Sequence, residues 1–374
     1  MRLYILTALL ITCAFVQPSQ AEQTSAKQSY IIDFETGQSL LSKEATAPMP
    51  TSSMSKVMTM YMVFDAIKNG VISMDTELPV SEKAWRMGGS KMFVDLGSKI
   101  TVKDLAQGVI VQSGNDATVV LAEGVSGTED SFAQKMTEKA HELGMKNSNF
   151  VNASGWPDPN HYSTAQDLSI LAKAIIKDFP EYYPLFSEKE YTYNNIKQQN
   201  RNPLLYKNIG ADGLKTGHTE IAGYGLIGTA ERDGRRVIVV VNGLESEKDR
   251  ADESARLINW GLDHFSNVDF VKANTEIDQA PVVMGKSTTV GLALQEDVRL
   301  TIPKLEKSNI TVDLKYKSPL VAPIKAGQEI GTLTINIPTM DSKTFPLFTT
   351  GNVEEVGFFK KTLTKFEQMI FGKS

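Results

Sequence analysis

The 374-residue sequence predicts a mixed α/β fold with a second, all-β part, and three observations support this. β-Branched runs near residue 30 and between residues 223 and 244 enclose a long region of helical periodicity, which predicts a sheet beside a helical block. After residue 266 short alternating segments are separated by Gly, Pro, Asn and Asp, as in small all-β domains. The last residues place apolar and basic side chains at helical spacing, which predicts a terminal amphipathic helix.

Residues 1–21 predict a secretory signal peptide. Arg2 precedes an uncharged apolar stretch, and the small side chains of Ser19 and Ala21 suit a cleavage site. The stretch is too short for an easy membrane span. Cys13 raises the alternative of a lipoprotein signal, but the threonine before it is a poor match to the small residue expected there. We therefore expect cleavage after Ala21 and export of the remaining chain.

Composition limits the classes of protein and partner. The only cysteine lies in the predicted signal, so the exported chain would depend on a packed core without disulfides. The length predicts two domains. With 44 Asp and Glu against 39 Lys and Arg, and no long basic run before the C-terminus, nucleic acid is not expected as a partner. No metal or other cofactor is expected, because zinc-type spacing is missing among the four histidines, His141, His161, His218 and His264.

The first domain is predicted to span residues 22–266. "SYIIDFETGQSLLS" predicts a β-hairpin, and a helical block follows from about residue 53 to 167. "STAQDLSILAKAIIKDFP" has the cap, acidic first turn and proline stop of one helix. "GYGLIGTAERDGRRVIVVVNG" predicts two strands joined by an Arg-Asp-Gly turn, and "EKDRADESARLINWGLDHF" predicts a closing helix.

The remainder divides into a β-rich domain, residues 267–351, and an amphipathic helix, residues 352–374. In the helix, apolar residues from Val356 to Ile370 alternate at spacings of three and four, and lysines occupy the other positions. Such a helix could pack its apolar stripe on its own domain. Its large apolar side chains and local positive charge favour a membrane surface instead. Its charges prevent it from spanning the membrane.

Candidate catalytic chemistry begins at "SSMSK". Ser53 and Lys56 are three residues apart at the start of an apolar helical run, so they project from one face. The positive helix terminus would stabilise negative charge on the serine oxygen. Burial near another cation would lower the pKa of the lysine until it could accept a proton. Alone, the motif is more typical of an ordinary capped helix than of a catalytic pair.

Two further motifs change this interpretation. In "VQSGNDA", Ser113 and Asn115 lie at a break between two helical segments, where both side chains could enter a cleft, although a simple turn would use the same residues. In "DGLKTGHTEIAGYG", Lys215, Thr216 and Gly217 are predicted just before a strand. The glycine would permit a close approach, and the other two side chains could bind an anion or carboxylate.

The three motifs occur in the order Ser-x-x-Lys, Ser-x-Asn, Lys-Thr-Gly, which is the set associated with penicillin-binding proteins and class A β-lactamases. The chain resembles the low-molecular-weight penicillin-binding proteins, specifically the serine D-alanyl-D-alanine carboxypeptidases, over essentially its whole length. "FVNASGW", "STAQDL", "NRNPLL" and "DRADESARLINWG" are further matching phrases. The resemblance implies a transpeptidase-like catalytic domain and an enzyme on the periplasmic side of the inner membrane.

The resemblance also implies roles for individual residues. Ser53 would attack the carbonyl between the two terminal D-alanines of a peptidoglycan stem peptide, and Lys56 would take its proton. Ser113 would pass a proton to the leaving amine, and Asn115 would hold the substrate backbone. A β-lactam would acylate Ser53 in the same way.

Residues of the later motifs would bind the carboxylate end of the substrate. Lys215 and Thr216 would bind it, beside Gly217, and the backbone N–H groups of Ser53 and His218 would form the oxyanion hole. For two arginines, either contact with this carboxylate or a surface salt bridge is possible: Arg201 and Arg250.

Three alternatives remain open at the level of sequence. A serine β-lactamase would use the same motifs, but no Glu-x-x-x-Asn lies at a suitable place between "SGN" and "KTG". A D,D-endopeptidase of the same family would use the same catalytic groups. A non-catalytic cell-wall-binding protein would have no use for all three motifs.

Overall fold

The computed structural model describes residues 23–357. The predicted signal peptide and the larger part of the predicted terminal helix lie outside the described residues. Within them the mixed α/β class is confirmed, with an α/β unit followed by an all-β unit. No helix in this range combines the length and the apolar character that crossing a membrane requires.

The α/β unit is built on a five-stranded antiparallel sheet, in which the N-terminal hairpin pairs with strands from the end of the unit. The strands of the unit are β1 (Gln28–Asp33), β2 (Ser39–Lys43), β3 (Glu77–Pro79), β4 (Lys99–Thr101), β5 (Glu190–Tyr193), β6 (Ile196–Gln199), β7 (Ala211–Thr219), β8 (Gly223–Arg232) and β9 (Arg235–Leu244). The sheet order is β2-β1-β9-β8-β7, so β7 is an edge strand. The other strands form two short hairpin-like pairs, β3 with β4 and β5 with β6.

Strand β9 is buried on both faces, which explains its unbroken β-branched run. Ile238 and Val240 pack in the core shared with the helical block. Val237, Val239 and Val241 pack in a second core on the opposite face, with the last helix of the unit. A strand covered on both sides needs apolar side chains at every position, instead of alternate ones.

The helices divide between the two faces of the sheet. α6 packs on β1 and β9, and α7 packs on β8 and β9. α1 is the centre of the helical block and is buried almost all round. The helices are α1 (Lys56–Lys68), α2 (Glu82–Arg86), α3 (Val102–Ile110), α4 (Asn115–Ser126), α5 (Glu129–Glu142), α6 (Ala165–Asp178) and α7 (Glu247–His264), with 3₁₀ turns at Ser52–Ser55, Tyr183–Ser187, Pro203–Tyr206 and Lys304–Asn309.

The all-β unit begins directly after α7 and has its own apolar core, which includes Leu292, Leu333 and Leu347. A six-stranded sheet has the order β14-β16-β17-β12-β11-β15, and β10 pairs with β13. Its strands are β10 (Phe265–Val271), β11 (Asp278–Val283), β12 (Thr289–Ala293), β13 (Val298–Pro303), β14 (Thr311–Tyr316), β15 (Leu320–Val321), β16 (Glu329–Asn336) and β17 (Lys343–Thr349).

The start of the predicted terminal helix differs from the structure. Val353 pairs with Ile324 and Glu355 pairs with Gly285 in isolated antiparallel bridges, so this stretch is extended and belongs to the all-β unit. Val353 is also part of the core of that unit. The helical prediction from residue 352 is therefore wrong for residues 352–357, because Val353 packs in the β core and the backbone N–H of Val356, the first residue of the predicted stripe, donates to the backbone oxygen of Met284 in the same unit.

Candidate active site

Ser53 lies in the 3₁₀ turn Ser52–Ser55, which leads directly into α1 at Lys56. The prediction of an ordinary side-chain cap is wrong. Neither Thr51, before the turn, nor Ser55, before α1, accepts a capping hydrogen bond. Instead the turn brings Ser53 Oγ within 2.8 Å of Lys56 Nζ. The serine is thus free for a role other than closing the helix.

The hydrogen bonds of Lys56 define how a proton would move. Its Nζ lies 2.7 Å from Asn115 Oδ1 and 2.6 Å from the backbone oxygen of Ser154. The amide of Asn115 is oriented by its Nδ2, which donates to the backbone oxygen of Gly88. Both oxygens can only accept, and a neutral amine has two N–H groups and one lone pair. In the neutral form, the lone pair therefore faces the hydroxyl of Ser53.

The surroundings favour this neutral form. Burial lowers the pKa of Lys56 to about 7, and the charge of Arg201 acts in the same direction while that of Asp116 opposes it. The side chain is 1% exposed, so its ammonium form would lose nearly all hydration. An amine with a pKa near neutrality can accept a proton at physiological pH.

Ser113 and Asn115 lie where the sequence predicted a break between helices, between the end of α3 and the start of α4. Ser113 is in the left-handed region, with φ of 64°. Its Oγ is buried, and no other residue of the described chain hydrogen-bonds to it. Buried hydroxyls are nearly always paired, so this one is available to a molecule that enters the site.

Lys215, Thr216 and Gly217 lie inside β7, so the prediction that they precede a strand is wrong. The strand continues through them because its backbone pairs with β8 in regular antiparallel register. A Cβ on Gly217 would come within 2.8 Å of the backbone oxygen of Thr51, so only glycine allows β7 to lie against the turn that carries Ser53. The expected close approach is therefore between these two elements.

Basic side chains from several elements converge on Lys215 in the middle of β7. Burial lowers the pKa of Lys215 well below its usual value, and Lys56, Arg201 and Arg250 all act in the same direction. Lys215 Nζ has one hydrogen bond within the described residues, to the adjacent Thr216 backbone oxygen. Lys215, Arg201 and Arg250 together are suited to bind an anionic group.

Within residues 23–357, neither Arg201 nor Arg250 is held in a close surface salt bridge. Arg201 donates to Ser90 Oγ at 2.5 Å. Arg250 is 6% exposed, and its guanidinium lies 5.5 Å from the ring centre of Tyr224. Its ion pair with Glu247 is long, at 3.9 Å. The geometry favours the carboxylate-binding interpretation of these side chains over the salt-bridge alternative.

His218 follows the Lys-Thr-Gly motif and is exposed. Its ring stacks on Tyr224, with centroids 3.9 Å apart. The stacked rings of His218 and Tyr224 thus form an aromatic layer beside Arg250. Because His218 is exposed, it lies at the rim of the cleft.

Sequence reasoning missed Asp116, which follows Asn115 directly. Asp116 is 1% exposed. Its carboxylate accepts hydrogen bonds from the backbone N–H groups of Met92, Phe93, Val94 and Ala117. These contacts fasten residues 88–94, the loop that also contacts Asn115 and Arg201, to the start of α4. An acidic residue in the first turn of a helix is common, so the sequence offered no distinguishing signal.

A second missed contact supports the Ser53 turn from behind. His161 Nε2 lies 2.7 Å from Ser55 Oγ, which lies 2.5 Å from Thr51 Oγ1. The backbone N–H of Val151 donates to His161 Nδ1, so this ring donates through Nε2. Burial lowers the pKa of His161 to about 4, and the ring is therefore neutral at pH 7.

Comparison with known proteins agrees with this geometry. A family model described as D-alanyl-D-alanine carboxypeptidase, peptidase S11, matches residues 15–246, and one described as the C-terminal domain of penicillin-binding protein 5 matches residues 265–355. The D-alanyl-D-alanine carboxypeptidase DacA of Haemophilus influenzae is 39% identical over 346 residues, which covers 91% of this chain and 88% of that protein.

Solved structures extend the likeness to the fold. Penicillin-binding protein 5 from Haemophilus influenzae superposes with a TM-score of 0.78 at 38% identity, covering 90% of this chain and 99% of that one. Penicillin-binding protein D2 from Listeria monocytogenes, in its ampicillin-bound form, gives a TM-score of 0.60 at 32% identity and covers 66% of this chain and all of that one. With the three motifs assembled around Ser53, the chain belongs to the peptidase S11 family of D-alanyl-D-alanine carboxypeptidases.

Proposed function

We propose that Ser53 and Lys56 remove the terminal D-alanine from peptidoglycan stem peptides by acyl transfer. The observation that carries this proposal is the hydrogen-bond arrangement of Lys56, which leaves its lone pair facing Ser53 Oγ. The hydroxyl proton passes to Lys56 Nζ while Oγ attacks the carbonyl carbon between the two D-alanines. The C–N bond then breaks, D-alanine leaves as the amine, and an ester on Ser53 remains.

Ser113 supplies the route for the proton that the leaving amine needs. Its buried Oγ has no hydrogen-bond partner in residues 23–357, so it is free to connect Lys56 with the leaving nitrogen. A water molecule then attacks the ester and releases the shortened peptide. Asn115 orients Lys56 and lies where it can also contact the substrate backbone.

The substrate's position follows from β7 and the cations. β7 is an edge strand that pairs in its sheet with β8 alone, and its Gly217 lies against the Ser53 turn, so an extended peptide can add to its free edge as a further strand beside Ser53. Its terminal carboxylate then lies beside Lys215, Thr216 and the two arginines. Backbone N–H groups of Ser53 and His218 stabilise the oxyanion, and loss of such a donor typically costs about 3 kcal/mol.

A β-lactam acylates Ser53 by the same steps. The ampicillin-bound form of the Listeria relative supports β-lactam binding in this fold. Among residues 23–357, no Asp or Glu side chain hydrogen-bonds or forms an ion pair with Ser53 or Lys56. A β-lactamase needs a carboxylate that activates the deacylating water, so this arrangement favours a carboxypeptidase.

We assign this chemistry to residues 22–266 and attachment to the predicted C-terminal helix. The basic amphipathic pattern near the C-terminus supports binding to the periplasmic surface of the inner membrane, after export and cleavage of the signal. Deletion of residues 358–374 should move the protein from the membrane to the soluble fraction and leave activity intact. Unchanged membrane association would contradict this assignment.

The activity is tested by release of D-alanine from a pentapeptide that ends in D-Ala-D-Ala. Wild-type protein should release one D-alanine per peptide, and Ser53→Ala should release none. Ser52→Ala is the matched control, since it removes the neighbouring hydroxyl, which contacts Thr219 instead. Release by Ser53→Ala at the wild-type rate would reject the proposed nucleophile.

A further inference from the structure

The backbone oxygen of Ser154, one of the two acceptors that orient Lys56, lies in a segment without regular backbone pairing. Residues 150–157 are all described and form no helix or strand, so a sheet does not fix the position of this oxygen. Its distance to Lys56 Nζ is nevertheless 2.6 Å. If the oxygen moved away, an N–H group of Lys56 would be released to turn toward Ser53 in place of the lone pair. The segment therefore needs an anchor elsewhere in the fold.

Side chains on one side of α5 provide this anchor. Thr137 Oγ1 accepts a hydrogen bond from the backbone N–H of Phe150 at 2.9 Å and donates to the backbone oxygen of the same residue at 3.1 Å. Nearer the start of the helix, Glu129 Oε1 accepts a hydrogen bond from the backbone N–H of Ala153 at 3.0 Å. The helix and the segment thus run in opposite directions, and the helix side chains take the place of a neighbouring strand.

The burial of Glu129 is explained by this contact and not by the helix. Glu129 is 6% exposed, and its second carboxylate oxygen lies 2.8 Å from Lys83 Nζ. The neighbouring Asp130 also lies in the first turn of α5, where negative charge stabilises a helix, and it is exposed. Burial of a carboxylate costs free energy unless hydrogen bonds and an opposite charge compensate for the lost water. Helix stability alone would therefore leave Glu129 exposed as well.

Ala153 is held from two helices at once. Glu129 of α5 accepts a hydrogen bond from its N–H, and Thr59 of α1 donates to its backbone oxygen at 2.5 Å. Thr59 follows Lys56 by three residues in α1, so this second contact ties the segment to the helix that carries the lysine. The next backbone oxygen along the segment is that of Ser154. Its position relative to Lys56 therefore depends on the contact between Ala153 and Glu129.

We propose that Glu129 is a positioning residue for the Ser53 and Lys56 pair. By holding the N–H of Ala153, it keeps the Ser154 oxygen where it accepts a hydrogen bond from Lys56 and leaves the lysine lone pair facing Ser53. Within residues 23–357, Glu129 forms no hydrogen bond or ion pair with Lys56, so it acts through the segment. This inference rests on the proposed function.

Two conservative substitutions separate the acceptor oxygen of Glu129 from its charge. Glu129→Gln loses the charge but keeps an acceptor oxygen at the same distance from the main chain. Glu129→Asp keeps the charge, but it has one methylene group fewer and no longer reaches the N–H of Ala153. A small displacement in an active site can cost about 10²-fold in rate, so Glu129→Asp should lower kcat/KM for D-alanine release about tenfold to a hundredfold. Glu129→Gln should exceed Glu129→Asp by about tenfold or more.

The pH profile gives a readout that a loss of stability alone would not move. The Ser154 oxygen also stabilises the ammonium form of Lys56, so its displacement should lower the pKa of the lysine. The rising limb of kcat/KM should therefore move to lower pH in Glu129→Asp and stay in place in Glu129→Gln. The charged or titratable groups that face Lys56 are unchanged in both variants, and they are Arg201, Asp116, Lys215 and His161.

A matched control and a second variant complete the test. Glu142→Gln removes another carboxylate of α5, one that is exposed and paired with Lys139 at 2.7 Å, and it should leave both kcat/KM and the limb unchanged. Thr137→Val keeps the side-chain shape but removes the hydroxyl that holds Phe150. It should lower kcat/KM and move the limb in the same direction as Glu129→Asp. The thermal midpoint of each variant shows whether it is folded.

The possible outcomes are distinct. The inference is overturned if the folded Glu129→Asp and Thr137→Val variants keep the wild-type kcat/KM and limb, or if Glu129→Gln loses as much activity as Glu129→Asp. Failure of both Glu129→Asp and Thr137→Val to fold would also overturn it, since the contacts would then serve stability. In each of these cases the proposed function stands as long as the wild-type protein releases D-alanine from the pentapeptide. If the wild type releases none, the proposed function itself fails.

Discussion

Lys56 Nζ lies 2.8 Å from Ser53 Oγ, and its two other hydrogen-bond partners are oxygens that can only accept. The pair therefore has a defined direction for proton transfer before substrate arrives. No histidine is needed, because burial and the charge of Arg201 lower the pKa of the lysine to about 7. The predictions below follow from this relationship and from the residues that maintain it.

The acylation rate should depend on the protonation of Lys56. Below pH 7 most of the lysine is protonated and cannot accept a proton, so kcat/KM should rise with pH through about 7 and then level off. Lys56→Arg keeps a positive charge but removes the base, and it should lower kcat/KM by about two to four orders of magnitude. pH profiles of D-alanine release by the wild type and by Lys56→Arg measure the rise with pH and the loss of kcat/KM. A flat wild-type profile from pH 5 to 9 would argue against a lysine base.

Ser113→Ala should lower kcat and leave folding nearly unchanged. The Oγ of this serine has no hydrogen-bond partner in residues 23–357, so its loss breaks no hydrogen bond among them. Loss of a proton-transfer group typically lowers the rate by about 10²-fold or more. Steady-state kinetics and the thermal midpoint together check this. A large fall in the midpoint with little change in kcat would instead indicate a structural serine.

Arg201→Gln should produce two effects that can be measured separately. Because the arginine lowers the pKa of Lys56, its removal should raise that pKa and move the rising limb of the pH profile to higher pH. If it also contacts the substrate carboxylate, the variant should lose more activity on a free carboxylate than on the C-terminal amide. Equal loss on both substrates would remove Arg201 from carboxylate binding.

Asp116→Asn should shift the same limb in the opposite direction. The charge of Asp116 raises the pKa of Lys56, so its loss should move the limb to lower pH. The variant also replaces an oxygen that accepts backbone N–H groups of the loop from Met92 to Val94. We expect a loss of about 1 to 3 kcal/mol in unfolding free energy. A shift toward higher pH would contradict this electrostatic account.

Gly155→Ala tests how closely the loop that contains Ser154 must approach the Ser53 turn. A Cβ on Gly155 would lie 1.8 Å from the backbone oxygen of Ser52, and its φ is +78°. Gly127 is the matched control, because its φ is +79° but its Cβ would meet no atom within 4 Å. Gly155→Ala should cost about 1 to 3 kcal/mol more stability than Gly127→Ala, and also activity. Denaturant unfolding of both variants gives the difference, and equal losses would exclude the clash.

The sequence predicted the fold where the hydrophobic pattern is local and strong. The burial of both faces of β9 and the near-complete burial of α1 follow directly from their apolar runs. The pattern misplaced Lys215 because Lys, Thr and Gly have little preference for strands, and only pairing with β8 holds them in one. It also misplaced the end of the all-β unit, since Val356 fits the apolar stripe of a helix while its backbone N–H donates to Met284 of that unit.

The site was predictable as motifs and unpredictable as contacts. Ser53, Lys56 and Asn115 occur in recognisable motifs, and the structure brings them together. The backbone oxygen of Ser154 and the ring of His161 contribute through contacts about 100 residues distant along the chain. No local pattern reports such pairs, because any residue type supplies a backbone oxygen and a lone histidine has no spacing to interpret.

The most direct test of the Ser53 and Lys56 assignment is mass spectrometry of the protein after brief exposure to benzylpenicillin. The wild-type chain should gain the mass of one intact penicillin, and proteolytic mapping should place it on the peptide that contains Ser53. Lys56→Arg should acylate far more slowly, and Ser53→Ala should gain no mass. An adduct that maps to another residue, or one that forms equally in Ser53→Ala, would contradict the assignment.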